Sequence, residues 1–162
     1  MPVRAEGVPV GVALARTAKA ASAAFDSAMA EAGGSLPIWL VLVSLKTERG
    51  ASQRAMAESM GIQGATLTHH LNGMEAAGLV TRRRDPENRR VHIVELTESG
   101  EQLFERLRTV AVEFDVRLRS GLTNHELDEF VRVLEVFGGN VNAEWAAVAP
   151  WGEAATAAAE ER

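Results

Sequence analysis

Apolar residues recur at three- and four-residue steps through most of this chain, which is the pattern of helices with one buried face. The first run begins at Val10 and stops before Gly33-Gly34, so we expect a helix there. A second helix is predicted to begin at Ser35, and Pro37 fits this start because proline is tolerated in a first helical turn. The apolar positions are Val10, Leu14, Ala18, Ala21, Phe25 and Met29 in the first helix and Ile38, Trp39, Leu42 and Leu45 in the second.

Two shorter helical patterns follow, separated by a glycine. Ser52 is placed to cap the first of them, in which Met56, Ala57 and Met60 face inward. Gly61 supplies the turn into the second, because a bulkier residue adopts the required backbone conformation less easily.

The helix that starts near Gln63 has an apolar stripe on one side and polar groups on the other. Steps of four and three residues bring Leu67, Leu71 and Met74 to the same side, so they are predicted to be buried. The other side carries amides, hydroxyls and imidazoles, with no acid near its start, and suits hydrogen bonds to base edges and phosphates. The outward residues are Gln63, Thr66, His69, His70 and Gly73.

An alternating segment after Gly78, which ends this helix, predicts a β-hairpin. The first strand begins at residues 79–81 and runs into three consecutive arginines, Arg82, Arg83 and Arg84. Residues 85–88 have the composition of a turn, and residues 91–96 form the returning strand. We expect Val94 and Leu96 to share the core side of that strand.

Two further helices are predicted after the hairpin. Thr97 is placed to cap a long helix that keeps its apolar period as far as Gly121. Thr123 and Glu126 have the spacing of a capping box, which opens the last helix, and Gly138-Gly139 is expected to end or interrupt it. The apolar positions are Leu103, Phe104, Leu107, Val110, Ala111, Phe114 and Leu118, then Leu127, Phe130, Val131, Leu134 and Phe137.

This order of elements predicts a mainly α-helical fold with a small β-hairpin wing, a winged helix-turn-helix flanked by N- and C-terminal helices. A helix of this size fits the major groove of DNA, and a basic ribbon beside it can reach the neighbouring minor groove. The pattern therefore makes nucleic acid the first partner to consider.

The net charge of −5 is unusual for a nucleic-acid-binding protein until the charges are located along the chain. Residues 46–95 carry eight Lys and Arg against six Asp and Glu, whereas the rest of the chain carries nine against sixteen. This asymmetry favours one surface that faces a polyanion while the remainder repels it. From charge alone, a solvated charged hairpin is the simpler interpretation.

Other functional classes find little support in the residues. The chain has no cysteine, which excludes a disulfide framework, a thiol sensor and a cysteine-bound zinc site. His69 and His70 are adjacent, hence about 100° apart on a helix, so they do not form the same-face pair of a metal site. No phosphate loop, nucleophile elbow or metal-ligand spacing indicates an enzyme. We expect no enzymatic activity, no cofactor and no metal.

The expected location is the cytoplasm. The first residues lack the charged start and continuous apolar run of a signal peptide, and no apolar stretch reaches membrane-spanning length. We therefore expect no membrane partner.

Three segments together resemble the MarR family of bacterial transcription regulators, and the similarity runs from residue 38 into the helix after Gly100. They are Ala76-Ala77-Gly78-Leu79-Val80-Thr81-Arg82, Asp85-Pro86-Glu87-Asn88-Arg89-Arg90 and Leu96-Thr97-Glu98-Ser99-Gly100. The resemblance implies a homodimer in which the first and the last two helices of each subunit interlock. Each subunit would then place one winged helix on half of a pseudo-palindromic operator in double-stranded DNA.

The same resemblance implies roles for particular residues. The helix around Thr66, Thr68, His69 and His70 would enter the major groove, and Arg89 or Arg90 would enter the minor groove. Trp39 is a candidate for a small-molecule effector pocket, although a tryptophan at this position is more often a core residue. The candidate DNA contacts are Ser52, Gln53, Gln63, Gly64, Ala65, Thr66, Thr68, His69, His70, Arg82, Arg84, Arg89 and Arg90.

Four regions are predicted along the chain. Residues 1–34 form an N-terminal dimerisation helix, 35–96 the winged helix-turn-helix, 97–142 the C-terminal dimerisation helices and 143–162 a partly ordered, alanine-rich tail. The expected function is sequence-specific repression of transcription, relieved by a small-molecule effector. The alternative is a winged-helix protein-interaction module that does not bind DNA, but the polar, basic surface suits a polyanion better than an apolar partner.

Two residues depart from the family pattern. Asn88 stands where the family usually has an aspartate that orients an arginine of the wing, so the wing grips DNA less firmly. His69 stands where the family often has an arginine, so the usual bidentate contact to guanine is not available. The family's base preference at this position is therefore not transferred to His69.

We predict that Arg90→Ala lowers DNA affinity for all sequences, with a smaller loss for Arg89→Ala, because contacts in the minor groove distinguish sequences poorly. In contrast, His69→Ala or Thr66→Ala changes the ranking of sequences. Binding of duplexes selected from a random pool measures both effects. Unchanged affinity in the Arg89→Ala/Arg90→Ala double variant would contradict the wing assignment.

Overall fold

The computed structural model describes residues 7, 9–47, 52–86 and 92–141, and within these ranges the chain is mostly helical with one two-stranded antiparallel sheet. The predicted fold class is confirmed. The predicted tail, residues 143–162, lies outside the described residues. The elements are α1 (Val10–Glu31), α2 (Leu36–Thr47), α3 (Gln53–Ser59), α4 (Gly64–Ala76), β1 (Val80–Arg84), β2 (His92–Leu96), α5 (Glu98–Arg119) and α6 (Asn124–Asn140).

A tight turn joins α1 to α2. Gly33 has a φ of +85°, a conformation that favours glycine. The first turn of α2 is held by side chains on both sides of that turn: Leu36 N–H donates to Asp26 Oδ1 (3.0 Å), and Ile38 N–H donates to Ser35 Oγ (3.4 Å). Among the described residues, no single helix is long and apolar enough to cross a membrane, and the pair α1 and α2, bent by 78°, meets the requirement in length and composition only.

The chain forms two compact units, Met1–Ala111 and Val112–Arg162, whose boundary falls within α5. At the centre of the first unit, α2 contacts α1, α3, α4 and β2. Val41 was not among the predicted core positions but is fully buried, because a helix with neighbours on several sides is apolar around most of its surface. The core consists of Phe25, Met29, Trp39, Val41, Leu42, Leu45, Met56, Ala57, Leu67, Leu71, Met74, Val80, Val94, Leu103, Phe104, Leu107 and Ala111.

A column of stacked groups joins α2 to the first half of α5. The ring of Trp39 lies on that of Phe104, with centroids 5.6 Å apart and planes inclined by 14°. Lys46 Nζ lies 5.1 Å from the centroid of the Phe104 ring and donates to Glu101 Oε2 at 2.8 Å. The cation therefore closes the column on the solvent side. The structure places Trp39 in the core, only 3% exposed.

The beginning of α5 is fastened to the turn that follows α4. Thr97 caps α5, as predicted, by accepting a hydrogen bond from Gly100 N–H (3.1 Å). Thr97 also donates through its hydroxyl to Gly78 O (2.6 Å) and through its N–H to Leu79 O (3.1 Å). A Cβ on Gly100 would stand 2.0 Å from Leu79 O, so this approach requires glycine. The loop before the hairpin and the long helix are thus held together through backbone atoms.

In the second unit, the capping box predicted at the start of α6 is present. Glu126 N–H donates to Thr123 Oγ1 (3.3 Å), and Thr123 N–H donates to Glu126 Oε2 (2.8 Å). The prediction that Gly138-Gly139 ends or interrupts this helix is wrong, since α6 continues to Asn140. A helix-interior glycine costs only about 1 kcal/mol relative to alanine, and the helical hydrogen bonds continue, with Val141 N–H donating to Phe137 O at 3.2 Å.

We predict that Gly100→Ala destabilises the protein by about 1–3 kcal/mol, because the added methyl group forces α5 away from Leu79 O. The matched control is Gly73→Ala in α4, where a Cβ meets no atom within 4 Å. That substitution is expected to stabilise the protein by about 0.5–1 kcal/mol. Urea unfolding measures both free energies, and stabilisation by Gly100→Ala would contradict the close approach.

Candidate nucleic-acid interface

The start of α3 is tied both to its own helix and to the hairpin. Ser52 accepts a hydrogen bond from Ala55 N–H at its Oγ (3.2 Å), which confirms the predicted cap. Ser52 also forms an isolated antiparallel bridge with Ile93 of β2. Ser52 and Gln53, both predicted DNA contacts, are half-buried here. The turn into α4 passes through Gly61, whose φ of +64° meets the predicted need for glycine.

One side of α4 is fixed in the core. Leu67 and Leu71 are fully buried and Met74 is 2% exposed, so the predicted apolar stripe is confirmed. Because this stripe faces inward, the other side of the helix faces solvent. Ala65, Thr66, Thr68, His69 and Gly73 are exposed there, whereas His70 is half-buried at the edge of the stripe.

The first turn of α4 offers backbone donors to solvent. Gln63 precedes the helix in an extended conformation, and its side chain makes no capping hydrogen bond. Gln63, Gly64 and Ala65 are exposed, and no acidic residue lies in this turn. The free N–H groups and the positive end of the helix dipole together favour an anion such as a phosphate.

One flank of α4 faces the hairpin and binds it. Helical spacing places Thr68, Asn72 and Glu75 on this flank. Thr68 Oγ1 donates to Gly64 O within the helix (2.9 Å). Arg82 of β1 donates through Nε to Glu75 Oε2 (2.9 Å), and through Nη2 to the same oxygen and to Asn72 Oδ1 (2.7 Å). Hydrogen bonding from Arg82 lowers the pKa of Glu75.

The next arginine along the strand binds within the hairpin instead. The register pairs Thr81 with Glu95, which places Glu95 diagonally opposite Arg83 on the same face of the sheet. Arg83 donates through Nε to Glu95 Oε2 (3.1 Å) and through Nη2 to Glu95 Oε1 (2.9 Å). This bidentate hydrogen bonding lowers the pKa of the Glu95 carboxyl, with the positive charge of Arg83 adding to the effect.

Arg84 differs from the two arginines before it. Its side chain is exposed, and it takes part in no ion pair within the described part of the chain. Strand alternation places Arg84 on the same side of β1 as Arg82, and the register sets it opposite His92. Its charge is therefore directed to solvent beside α4. Asn88, Arg89 and Arg90 lie outside the described residues.

The structure thus brings the α4 candidates and β1 together on one surface, and it adds two residues that sequence reasoning missed. Asn72 and Glu75 lie three residues apart on one flank of α4, a spacing that was available in the sequence. The sequence did not show that Arg82 is their partner, because the packing of β1 against α4 determines which arginine reaches them. Trp39, the candidate for an effector pocket, lies elsewhere, in the stack with Phe104.

A polar-faced helix that follows a tight turn and is flanked by a two-stranded hairpin defines a winged helix-turn-helix. Residues 35–92 match the MarR family. This match covers the part of the chain that holds α2 to β1, and the structural neighbours include proteins of the MarR family.

Three known proteins illustrate the similarity. One relative is an uncharacterized HTH-type transcriptional regulator of Bacillus subtilis (strain 168), YdgJ, 30% identical over 91 residues. This match covers 56% of each protein, so the chain spans little more than half the length of that relative. The transcriptional repressor CouR, solved bound to a 23-mer DNA duplex, is 27% identical, with a TM-score of 0.73 over 80% of this chain and 92% of that one. The Mycobacterium tuberculosis MarR family protein Rv2887, in complex with salicylic acid, is 28% identical, with a TM-score of 0.61 over 83% and 99%.

We predict that Arg83→Gln raises the pKa of Glu95 toward its ordinary value, because the hydrogen bonds and the charge that lower it are removed. A lowered pKa means that the pair stabilises the fold at neutral pH. That contribution is lost as the pH falls through the lowered pKa of Glu95. Carbon-13 NMR titration of the Glu95 carboxyl measures the shift, and an unchanged pKa in Arg83→Gln would contradict the pairing.

Proposed function

We propose that this protein is a sequence-specific regulator of transcription that binds double-stranded DNA as a homodimer. The observation that carries the proposal is the solvent-facing surface of α4, whose polar groups lie beside an exposed arginine of β1 while its one acidic residue, Glu75, is neutralised by Arg82. Such a surface presents hydrogen-bond donors and acceptors to a polyanion without repelling it.

In this proposal, α4 enters the major groove. Thr66 and His69 are the side chains best placed to reach base edges, since both are exposed on the side opposite the buried stripe. The N–H groups of the first turn hold a phosphate and set the depth of the helix in the groove. CouR, solved bound to a 23-mer DNA duplex, supports the proposal because its fold and 27% of its aligned residues are shared.

The hairpin supplies the electrostatic contacts. Arg84 is placed for a phosphate beside the major groove. Arg89 and Arg90, carried over from the family resemblance, are proposed for the adjacent minor groove. These contacts contribute affinity for any sequence, whereas α4 contributes the discrimination between sequences.

The apolar surface of both units supports a dimer. In the first unit, Val10 (59% exposed) and Val12 lie on α1. In the second, Val116 (65%) and Leu118 lie on α5, and α6 exposes Phe130 (55%) together with Val131. Monomeric proteins rarely leave such surfaces uncovered, so we propose that a second copy covers them. Two-fold symmetry then presents two α4 helices to successive major grooves of one duplex, about 34–36 Å apart.

Binding near a promoter would exclude polymerase, so we propose that the protein is a repressor. We also propose that it is located in the cytoplasm. A small molecule that prefers a dimer geometry incompatible with the operator would release the DNA, in proportion to that preference. Rv2887 was solved with salicylic acid, which supports an effector of this general kind.

We predict that the purified protein shifts random-sequence duplex DNA at low ionic strength and that its affinity falls steeply as salt rises, because each phosphate contact releases counterions. Sedimentation on the same samples should show a dimer. Removing the chain from Leu127 onward should abolish both the dimer and DNA binding. Failure to shift any duplex at low salt, or DNA binding by a stable monomer, would contradict the proposal, and the first result would favour the protein-interaction alternative.

A further inference from the structure

We infer that Arg82 is a positioning residue: it holds the wing strand β1 against the recognition helix α4 and thereby sets how the two elements meet DNA. This inference rests on the proposed function. It assigns Arg82 a role different from the direct DNA contact expected from the sequence, and it assigns Asn72 and Glu75 to the same task.

The geometry of the Arg82 contacts supports this role. Nε and Nη2 both donate to Glu75 Oε2, and Nη2 also donates to Asn72 Oδ1 at 2.7 Å. The acceptors come from adjacent turns of α4, whereas the donor comes from β1, so the contact spans two elements. The planar guanidinium fixes both acceptors in one orientation, which a single-point cation does not.

The exposure of Arg82 separates it from a phosphate-binding arginine. Its side chain is only 21% exposed, and the carboxylate of Glu75 compensates its charge. Arg84, on the same side of the same strand, is exposed and makes no ion pair within the ranges that the structure describes. A phosphate would have to displace Glu75 to bind Arg82 but meets no such competitor at Arg84 among the residues that the structure describes.

The pair formed by Arg83 and Glu95 provides a built-in comparison. It joins the same two kinds of side chain, is also near the surface, and lies wholly within the hairpin. Breaking it leaves the contact between β1 and α4 intact. Any effect on DNA binding that arises simply from losing an arginine–glutamate pair should therefore appear in both sets of variants.

The two roles of Arg82 give opposite signs for Glu75→Ala. If Arg82 binds phosphate, removing Glu75 frees a cation and removes an acid near the DNA, so affinity rises. If Arg82 positions β1, removing Glu75 releases the strand, so affinity falls. The sign of the change decides between them.

The experiment measures affinity across a salt series by fluorescence anisotropy, with the full chain and a duplex selected from a random pool. We expect Arg82→Ala and Glu75→Ala each to weaken binding by roughly three- to tenfold, and the double variant to lose no more than either single one. The salt dependence should be unchanged in all three. Arg82→Lys should not restore binding, because lysine lacks the planar fork.

Two controls calibrate these values. Arg84→Ala should weaken binding and also reduce the slope of log affinity against log salt by about one phosphate contact. Glu95→Ala should change the affinity by less than about twofold, as expected for an exposed ion pair that does not join β1 to α4.

Tighter binding by Glu75→Ala, full rescue by Arg82→Lys, or a reduced salt slope in Arg82→Ala would each overturn the positioning role. If the wild-type protein binds no duplex, the proposed function fails by itself, and NMR then tests the contact without DNA. In that measurement the Arg82 Nε–H should exchange slowly with water and faster in Glu75→Ala. Equal exchange in the two proteins would show that the contact is absent.

Discussion

Burial of Leu67, Leu71 and Met74 is the constraint on which the proposed function depends, because it fixes the rotation of α4 about its own axis. A helix anchored by three side chains at steps of four and three residues has no freedom to turn. Thr66 and His69 consequently face solvent, whatever they bind. The core therefore determines which side chains a partner meets, so the proposed DNA contacts depend on apolar residues that do not touch DNA themselves.

The hairpin is held to α3 and to the anchored helix α4 at separate points. Ser52 bridges to Ile93 of β2, and Arg82 reaches the flank of α4 from β1. On the other side, Gly100 allows α5 to meet the backbone of Leu79. The start of α5 is therefore coupled by direct contact to the turn between α4 and β1. If the protein binds DNA as the proposed dimer, this contact is a physical route from α5 to the proposed DNA-binding surface, since packed elements shift as units.

Periodicity predicted the helices, their caps and the buried side of α4, because these depend on spacing and on local hydrogen bonds. It did not predict Val41, which is buried because α2 has neighbours on several sides. It also failed at Gly138-Gly139, where the continuing hydrogen bonds of α6 outweigh a modest propensity cost. The different partners of Arg82 and Arg83 depend on how β1 packs on α4 and on the strand register. Neither can be predicted from the local sequence.

The most direct test of whether α4 enters the major groove uses a single introduced cysteine, since the chain has none of its own. A cysteine introduced by Thr66→Cys is unique and can carry an iron chelate that cleaves nearby DNA, with Ser22→Cys on the exposed side of α1 as the control. On a selected duplex, the account predicts cleavage from position 66 at two places about 10–10.5 base pairs apart and none from position 22. Equal cleavage from both positions, or none from position 66 while the DNA remains bound, would contradict it.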